Sequence, residues 1–310
     1  MRRWLPNLVT TIAAVVCVTL LSACAAEVRG APPAPAAENR PQASVVPQAP
    51  ITEVPEAPPA PPAAPFDGLE ARVNQATEDA AAASGADIRV VVLDRNTGQI
   101  ASSEPDQPFP IASVVKLFIA DDLLLRESRG EVELSDADRN TLDVMLRSSD
   151  DSAAQMFWDR SGGNAVIARV VARYGLTGTT APANGRWDVT QSTASDLVRY
   201  YDMLLNGTGG LPPEQADVIL GNLTQATPTG TDGYPQRFGI PDGLYAEPVA
   251  FKQGWFCCWN GGNQLHVSTG VIGPERRYVM AISSLDPVGA AAARENITQA
   301  VKTMFPGGTI

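Results

Sequence analysis

The stretch Phe109-Pro110-Ile111-Ala112-Ser113-Val114-Val115-Lys116 carries the decisive local signal in this 310-residue chain. From 114 to 125 the residues are apolar almost all round, Asp121 and Asp122 apart, and that pattern predicts a helix buried on every side. Lys116 lies one turn beyond Ser113, so the same burial places its amine beside the serine. Desolvation favours the neutral amine, which can take the proton of a serine hydroxyl. The helix N-terminus adds a positive environment where negative charge would develop. An N-cap serine followed by a snorkelling lysine leaves the same letters, so the rest of the chain has to decide.

Lysine and histidine are scarce. Of 23 basic residues only Lys116, Lys252 and Lys302 are lysines, and His266 is the single histidine. A zinc site built on several histidines is excluded, and a Ser-His-Asp triad would have to use His266. On the strand 265–267 that ring reads as a hydrogen-bonded structural histidine rather than a proton carrier. The net charge of −11 argues against a nucleic-acid partner, since a phosphate backbone would be repelled. No cofactor or metal is expected.

Outward from Ser113, apolar residues at Phe66, Leu69, Val73 and Ala76 predict a helix over 66–84, stopped by Gly85. Residues 89–94 read as a strand, with Asn96-Thr97-Gly98 as a hairpin turn into Ile100 and Ala101. Three further strands are predicted at 249–256, 264–272 and 277–283, then a helix over 288–304. Between 113 and about 223 the pattern is helical. The strands thus lie at the two chain ends. The simplest fold is α+β: a three-layer αβα arrangement whose five-stranded antiparallel sheet is built from both ends, with an all-helical lobe inserted.

Two more elements stand beyond the serine: Ser149-Asp150-Asp151 after a helix ending at Arg147, and Lys252-Gln253-Gly254 on a strand. With SVVK at 113–116, SDD at 149–151 and KQG at 252–254, residues 66–310 resemble the penicillin-recognising serine enzymes, class A β-lactamases and D,D-peptidases. That superfamily carries Ser-x-x-Lys, Ser-Asp-Asn and Lys-Thr-Gly in this order. The resemblance implies a β-lactamase/transpeptidase-like fold, with a sheet lobe at 66–112 and 245–310 and a helical lobe at 113–244. It implies that Ser113 is the acylated nucleophile and Lys116 its general base. Ser149 would relay a proton to the leaving nitrogen, and Lys252 would supply charge for a substrate carboxylate. Asp151 and Gln253 would stand at substrate-binding positions, and the backbone N–H groups of Ser113 and Trp255 would form the oxyanion hole.

Three departures bear on activity. Asp151 replaces the family's Asn; its carboxylate accepts but does not donate, and it can pair with Lys116 and keep that amine protonated. Gln253 replaces Thr or Ser and offers an amide N–H instead of a hydroxyl. The Glu-x-x-Leu-Asn pattern that activates the deacylating water in class A enzymes does not occur. Arg186-Trp187-Asp188 resembles the start of that loop, but the sequence then runs straight into a helix at 193–205, so Asp188 reads as a cap or anchor. Deacylation of a β-lactam is expected to be slow.

The N-terminus holds Arg2 and Arg3, an apolar run from 8 to 21, and Leu21-Ser22-Ala23-Cys24. That order reads as an export signal over 1–23, too short for a spanning helix. Its end resembles a bacterial lipobox, which implies an acyl lipid such as palmitate on Cys24 and an extracytoplasmic chain anchored to the cell membrane. Residues 24–65, with 12 prolines from 25 onward, predict an extended tether. Cys257 and Cys258 are adjacent; free thiols and a vicinal disulfide both remain open. The aromatic and thiol cluster Trp255, Phe256, Cys257, Cys258, Trp259 would lie at or just beyond the site.

Two functions fit. One is an envelope-anchored serine acyl-transfer hydrolase acting on small peptides or β-lactams. The other is a catalytically degenerate lipoprotein that keeps the cleft and holds an envelope peptide or a protein partner. A tight Lys116–Asp151 pair with Ser113 turned away is the geometry expected for binding without catalysis.

Overall fold

The computed structural model describes residues 66–310. The signal, Cys24 and tether assignments lie outside the described residues. In chain order the elements are α1 (Leu69–Ser84), β1 (Asp87–Asp94), β2 (Gln99–Ser103), β3 (Phe109–Pro110), α2 (Lys116–Ser128), α3 (Asp136–Arg147), α4 (Asp151–Arg160) and α5 (Ala165–Tyr174). They are followed by β4 (Gln191–Ser192), α6 (Ala194–Asn206), α7 (Pro213–Thr224), one-turn α8 (Ile240–Gly243), β5 (Val249–Trp259), β6 (Asn263–Ile272), β7 (Tyr278–Asp286) and α9 (Ala290–Met304).

The main sheet runs β2-β1-β7-β6-β5, and every neighbouring pair is antiparallel. Alternation along the strands sorts their side chains to two faces. Val90, Val92, Met280 and Ile282 point to a core closed by α1 and α9. Val91, Val279, Ala281, Leu265 and Val267 point to the other core, shared with the inserted helices. Helices on both faces give three layers. Each fully buried aliphatic side chain in these layers stabilises the fold by about 1.5–3 kcal/mol. The β1–β2 hairpin turns where the sequence predicts it: Gly98 sits at φ +73°, a conformation glycine adopts without steric cost.

The inserted helices are set by local chemistry. Ser135 and Asp138 form a reciprocal capping box at the start of α3, and the Asp150 side chain caps α4 by accepting from Ala153 N–H at 2.7 Å. The buried character expected for α2 holds, including its two acids. Asp121 meets Arg173 and the Tyr174 hydroxyl, and Asp122 takes a two-point contact from Arg169, so α5 neutralises both.

Four departures from the expected local structure have an identifiable cause. α1 starts at Leu69, because Gly68 is left-handed at φ +82° and Phe66 leaves the helix to stack on Tyr278. Residues 112–115 form a 3₁₀ turn, and the α-helix begins at Lys116. β5 runs on to Trp259, held by pairing with Asn263 across a bulge. The two-residue ladder between β3 and β4, Phe109 opposite Ser192, is too short to leave an alternation signal.

Candidate active site

The 3₁₀ turn presents Ser113 from a strained backbone. Ala112 has φ +45°, a left-handed conformation that costs a non-glycine residue about 1–2 kcal/mol. Ser149 is left-handed as well, at φ +53° just before α4. The result at Ser149 is a division of labour. Its carbonyl oxygen faces Lys116 and its hydroxyl faces Lys252.

Lys116 is wholly buried, with 0% exposure, and its Nζ has three partners. Ser113 Oγ lies at 2.8 Å, Ser149 O at 2.6 Å and Asp151 Oδ1 at 2.6 Å. The three N–H donors of an ammonium match these three acceptors. With the amine neutral, the same arrangement turns its lone pair to the Ser113 hydroxyl and keeps two donors for Ser149 and Asp151. Burial pushes the Lys116 pKa below its ordinary value, and the Asp151 charge opposes that fall. The tight Lys116–Asp151 pair is present, but Ser113 is not turned away. The ring of Trp187 closes over the amine at 4.9 Å.

β5 brings the third element alongside. Before its bulge, Ala250 and Phe256 pack on the Ser113 core, while Val249 and Trp255 pack on the opposite core, where Phe238 lies. Gly254 is on the Ser113 side: a Cβ there would stand 2.5 Å from Ile111 O and 3.3 Å from Ser113 N, so only glycine lets the strand come this close. Lys252, on the same face and 1% exposed, donates to Ser149 Oγ and to Gln253 O. Burial, and then the like charge of Lys116, push its pKa well below the ordinary value.

Gln253 differs from expectation. At 1% exposure it donates its amide hydrogens to Gln236 O at 3.0 Å and Phe238 O at 2.7 Å, away from the nucleophile. The strand period requires this, since residues 252 and 253 point to opposite faces. Its amide N–H therefore does not stand in for the family's hydroxyl.

Ser113 opens onto a cavity of about 460 Å³ that Asp151, Trp187, Asp188, Trp255 and Phe256 also line. Asp188 is anchored to the Arg186 guanidinium (Nε at 3.1 Å), as expected, yet it also faces this space. Cys257 lines the cavity, and it is joined to Cys258 in a vicinal disulfide. Asp232 and Tyr234, lining residues that the sequence did not point to, come from the turn-rich loop between α7 and α8. Tyr234 stacks on Trp255 with ring centres 5.0 Å apart, and Asp232 accepts from Tyr234 N–H and Trp255 Nε1–H. A loop of Thr, Gly, Asp and Pro leaves no periodic trace of such a role.

His266 is fully buried behind this wall. Its Nε2 lies 2.7 Å from the Tyr234 hydroxyl, while Nδ1 has no partner among the described residues. Burial, with Arg294 nearby, pushes its pKa down to about 3, so the ring is neutral. It does not reach Ser113 as a base.

A family model described as the β-lactamase enzyme family matches residues 69–137 and 138–305. A protein of Mycobacterium tuberculosis and its counterpart in Mycobacterium bovis, both named "Putative lipoprotein LppW", are 62% identical over 245 residues, covering 79% of this chain and 77% of theirs. Among solved structures, PBP-A superimposes with a TM-score of 0.62 at 21% identity, over 79% of this chain and 97% of that one. A class A β-lactamase from Bacteroides cellulosilyticus gives 0.63 at 15% identity, over 77% and 98%. At those identities the structural likeness speaks for the fold.

Proposed function

Because this chain belongs to the β-lactamase enzyme family, we propose that it is a serine acyl-transfer hydrolase whose nucleophile is Ser113. The observation that carries the proposal is the 2.8 Å contact between Lys116 Nζ and Ser113 Oγ at the wall of a cavity. In this reading the neutral Lys116 amine takes the hydroxyl proton as Oγ attacks a substrate carbonyl. The tetrahedral oxyanion is met by the Ser113 and Trp255 N–H groups. The carbonyl–nitrogen bond then breaks, the nitrogen receives a proton through Ser149, and an ester remains on Ser113 until water cleaves it. Lys252 holds the Ser149 hydroxyl in place for that relay.

The substrates are small amides or β-lactams. One solved structure of a PBP-A point mutant is an acyl-enzyme complex with penicillin G, which supports a β-lactam as a reporter here. Slow deacylation goes with the lack of a class A Ω-loop glutamate motif and with Asp188 held by Arg186. We place the protein in the envelope, anchored through lipid on Cys24, in keeping with the name of its mycobacterial relatives. Metabolic labelling with a palmitate analogue checks this: Cys24→Ala should lose the label.

The test of the enzyme reading is exposure of the full chain to a labelled penicillin, followed by mass mapping. A stable adduct on Ser113, absent in Ser113→Ala, is expected. A chain that stays unlabelled by the penicillin and by a carboxylate-free thioester alike, while PBP-A labels with the penicillin, overturns it. The alternative, a cleft that binds without turnover, is favoured by one contact, the Asp151 carboxylate on Lys116, which stabilises the protonated amine. Ligand binding retained in Ser113→Ala, with no turnover in the parent, would select it.

A further inference from the structure

The groups that form the cavity wall differ in sign from what a carboxylate-bearing substrate needs. Its charged lining residues are Asp151, Asp188 and Asp232, and no lysine or arginine lines it among the described residues. The two groups expected to meet a substrate carboxylate are withdrawn. Lys252 is engaged by Ser149 and Gln253 O, and the Gln253 amide is engaged on the far face of the strand. The guanidinium of Arg294, outside the wall, packs on the Tyr234 ring at 4.7 Å.

The three carboxylates are not equivalent. Asp151 is paired with Lys116, and Asp188 with Arg186. Asp232 accepts from two neutral donors, the Tyr234 N–H and the Trp255 indole, so it is held in place without an ion-pair partner among the described residues. Its charge is felt at Lys116, across the same site. Trp187, Trp255 and Phe256 bound the space with aromatic faces on which a cation can rest, and Asp232 beside them is solvent-exposed.

We propose that the cavity selects acyl donors bearing an ammonium group, seated against Asp232 and the Trp255 wall, and disfavours donors with a free carboxylate. This rests on the serine-hydrolase reading for the acyl step but not for recognition. Three chromogenic thioesters of matched size, carrying an ammonium, an acetamide or a carboxylate, test it on the full chain. The ammonium probe should acylate Ser113 at least about ten-fold faster than the acetamide probe, with the carboxylate probe slowest, and raising salt from about 0.02 to 0.5 M should compress the ranking. Asp232→Asn should bring the ammonium-to-acetamide ratio towards one, and Asp232→Glu should restore it. A fastest carboxylate probe, or a ratio indifferent to Asp232, overturns the proposal.

The same three groups on unreactive amides, titrated calorimetrically into Ser113→Ala, separate recognition from chemistry. If no thioester acylates but the ammonium amide binds tightest, the hydrolase reading fails and this one stands. Acylation with the ranking reversed does the opposite. Absence of both acylation and binding overturns both.

Discussion

Lys116 Nζ and Asp151 Oδ1 lie 2.6 Å apart, the lysine side chain wholly buried and the aspartate side chain 71% exposed. The pair therefore has one desolvated partner and one solvated partner. Water screens the carboxylate, so the pair adds only about 0–1 kcal/mol to stability. Its larger effect is on proton affinity, because Asp151 is the main group opposing the burial-driven fall of the Lys116 pKa.

Asp151→Asn is thus expected to lower that pKa further. The active base is the deprotonated amine, so the acidic limb of the acylation profile should move to lower pH. Each unit of movement raises the rate on that limb about ten-fold. The new amide also gains a donor for a substrate carbonyl. Stopped-flow acylation by a chromogenic carboxylate-free thioester between pH 5 and 9 reads both effects. A limb that stays in place, or moves up, would mean that Asp151 does not set the base.

Gly254→Ala tests the approach of strand to nucleophile. The added Cβ meets Ile111 O at 2.5 Å, a backbone atom that cannot rotate away, so β5 or the 3₁₀ turn must shift. A displacement of about 1 Å at reacting groups costs on the order of 10²-fold in rate. The overpacking itself costs about 1–3 kcal/mol. Acylation should fall by that factor while circular dichroism stays native; unchanged acylation would refute the assignment of the Ser113 and Trp255 N–H groups.

The sheet was legible because strands at both ends carry β-rich runs, and alternation divides Val90 and Val92 from Val91 onto opposite faces. The meeting of Ser113, Lys116, Ser149 and Lys252 was legible because motif spacing survives in a linear string and lysine is rare in this chain. Gln253 was misjudged for want of a face: the motif names the residue, and only the strand period, once the face of Lys252 is known, says where it points. Asp232 and Tyr234 were invisible because their role comes from the loop packing on Trp255 and His266, a long-range relation with no local pattern.

Lys252→Met separates charge from packing. The amine is 1% exposed and has no carboxylate partner within ion-pair distance among the described residues, so burying it costs free energy that a methionine of similar length does not. Stability should hold or rise by about 1 kcal/mol, while acylation falls on the order of 10²-fold as Ser149 loses its partner. A large drop in Tm together with unchanged acylation would make Lys252 a structural residue.

His266 makes a prediction about stability against pH. Its folded pKa is held near 3 by burial, whereas an unfolded imidazole titrates near about 6.5. Between those values the unfolded chain binds a proton that the folded chain refuses. The stabilisation is therefore complete above about pH 6.5 and is lost as pH falls towards 3, with a slope of up to about 1.4 kcal/mol per unit. Between pH 7 and 5 the loss should be about 2 kcal/mol. Asp94 and Asp138, whose pKa values are lowered to about 2 by Arg277 and Arg160, lose their contribution in the same direction but only below about pH 4, outside that window. His266→Gln keeps a side-chain acceptor for the Tyr234 hydroxyl and has no titrating ring. Urea midpoints at pH 7 and 5 should converge for that variant and differ for the parent. Equal losses in both would show that the imidazole is not the group that titrates.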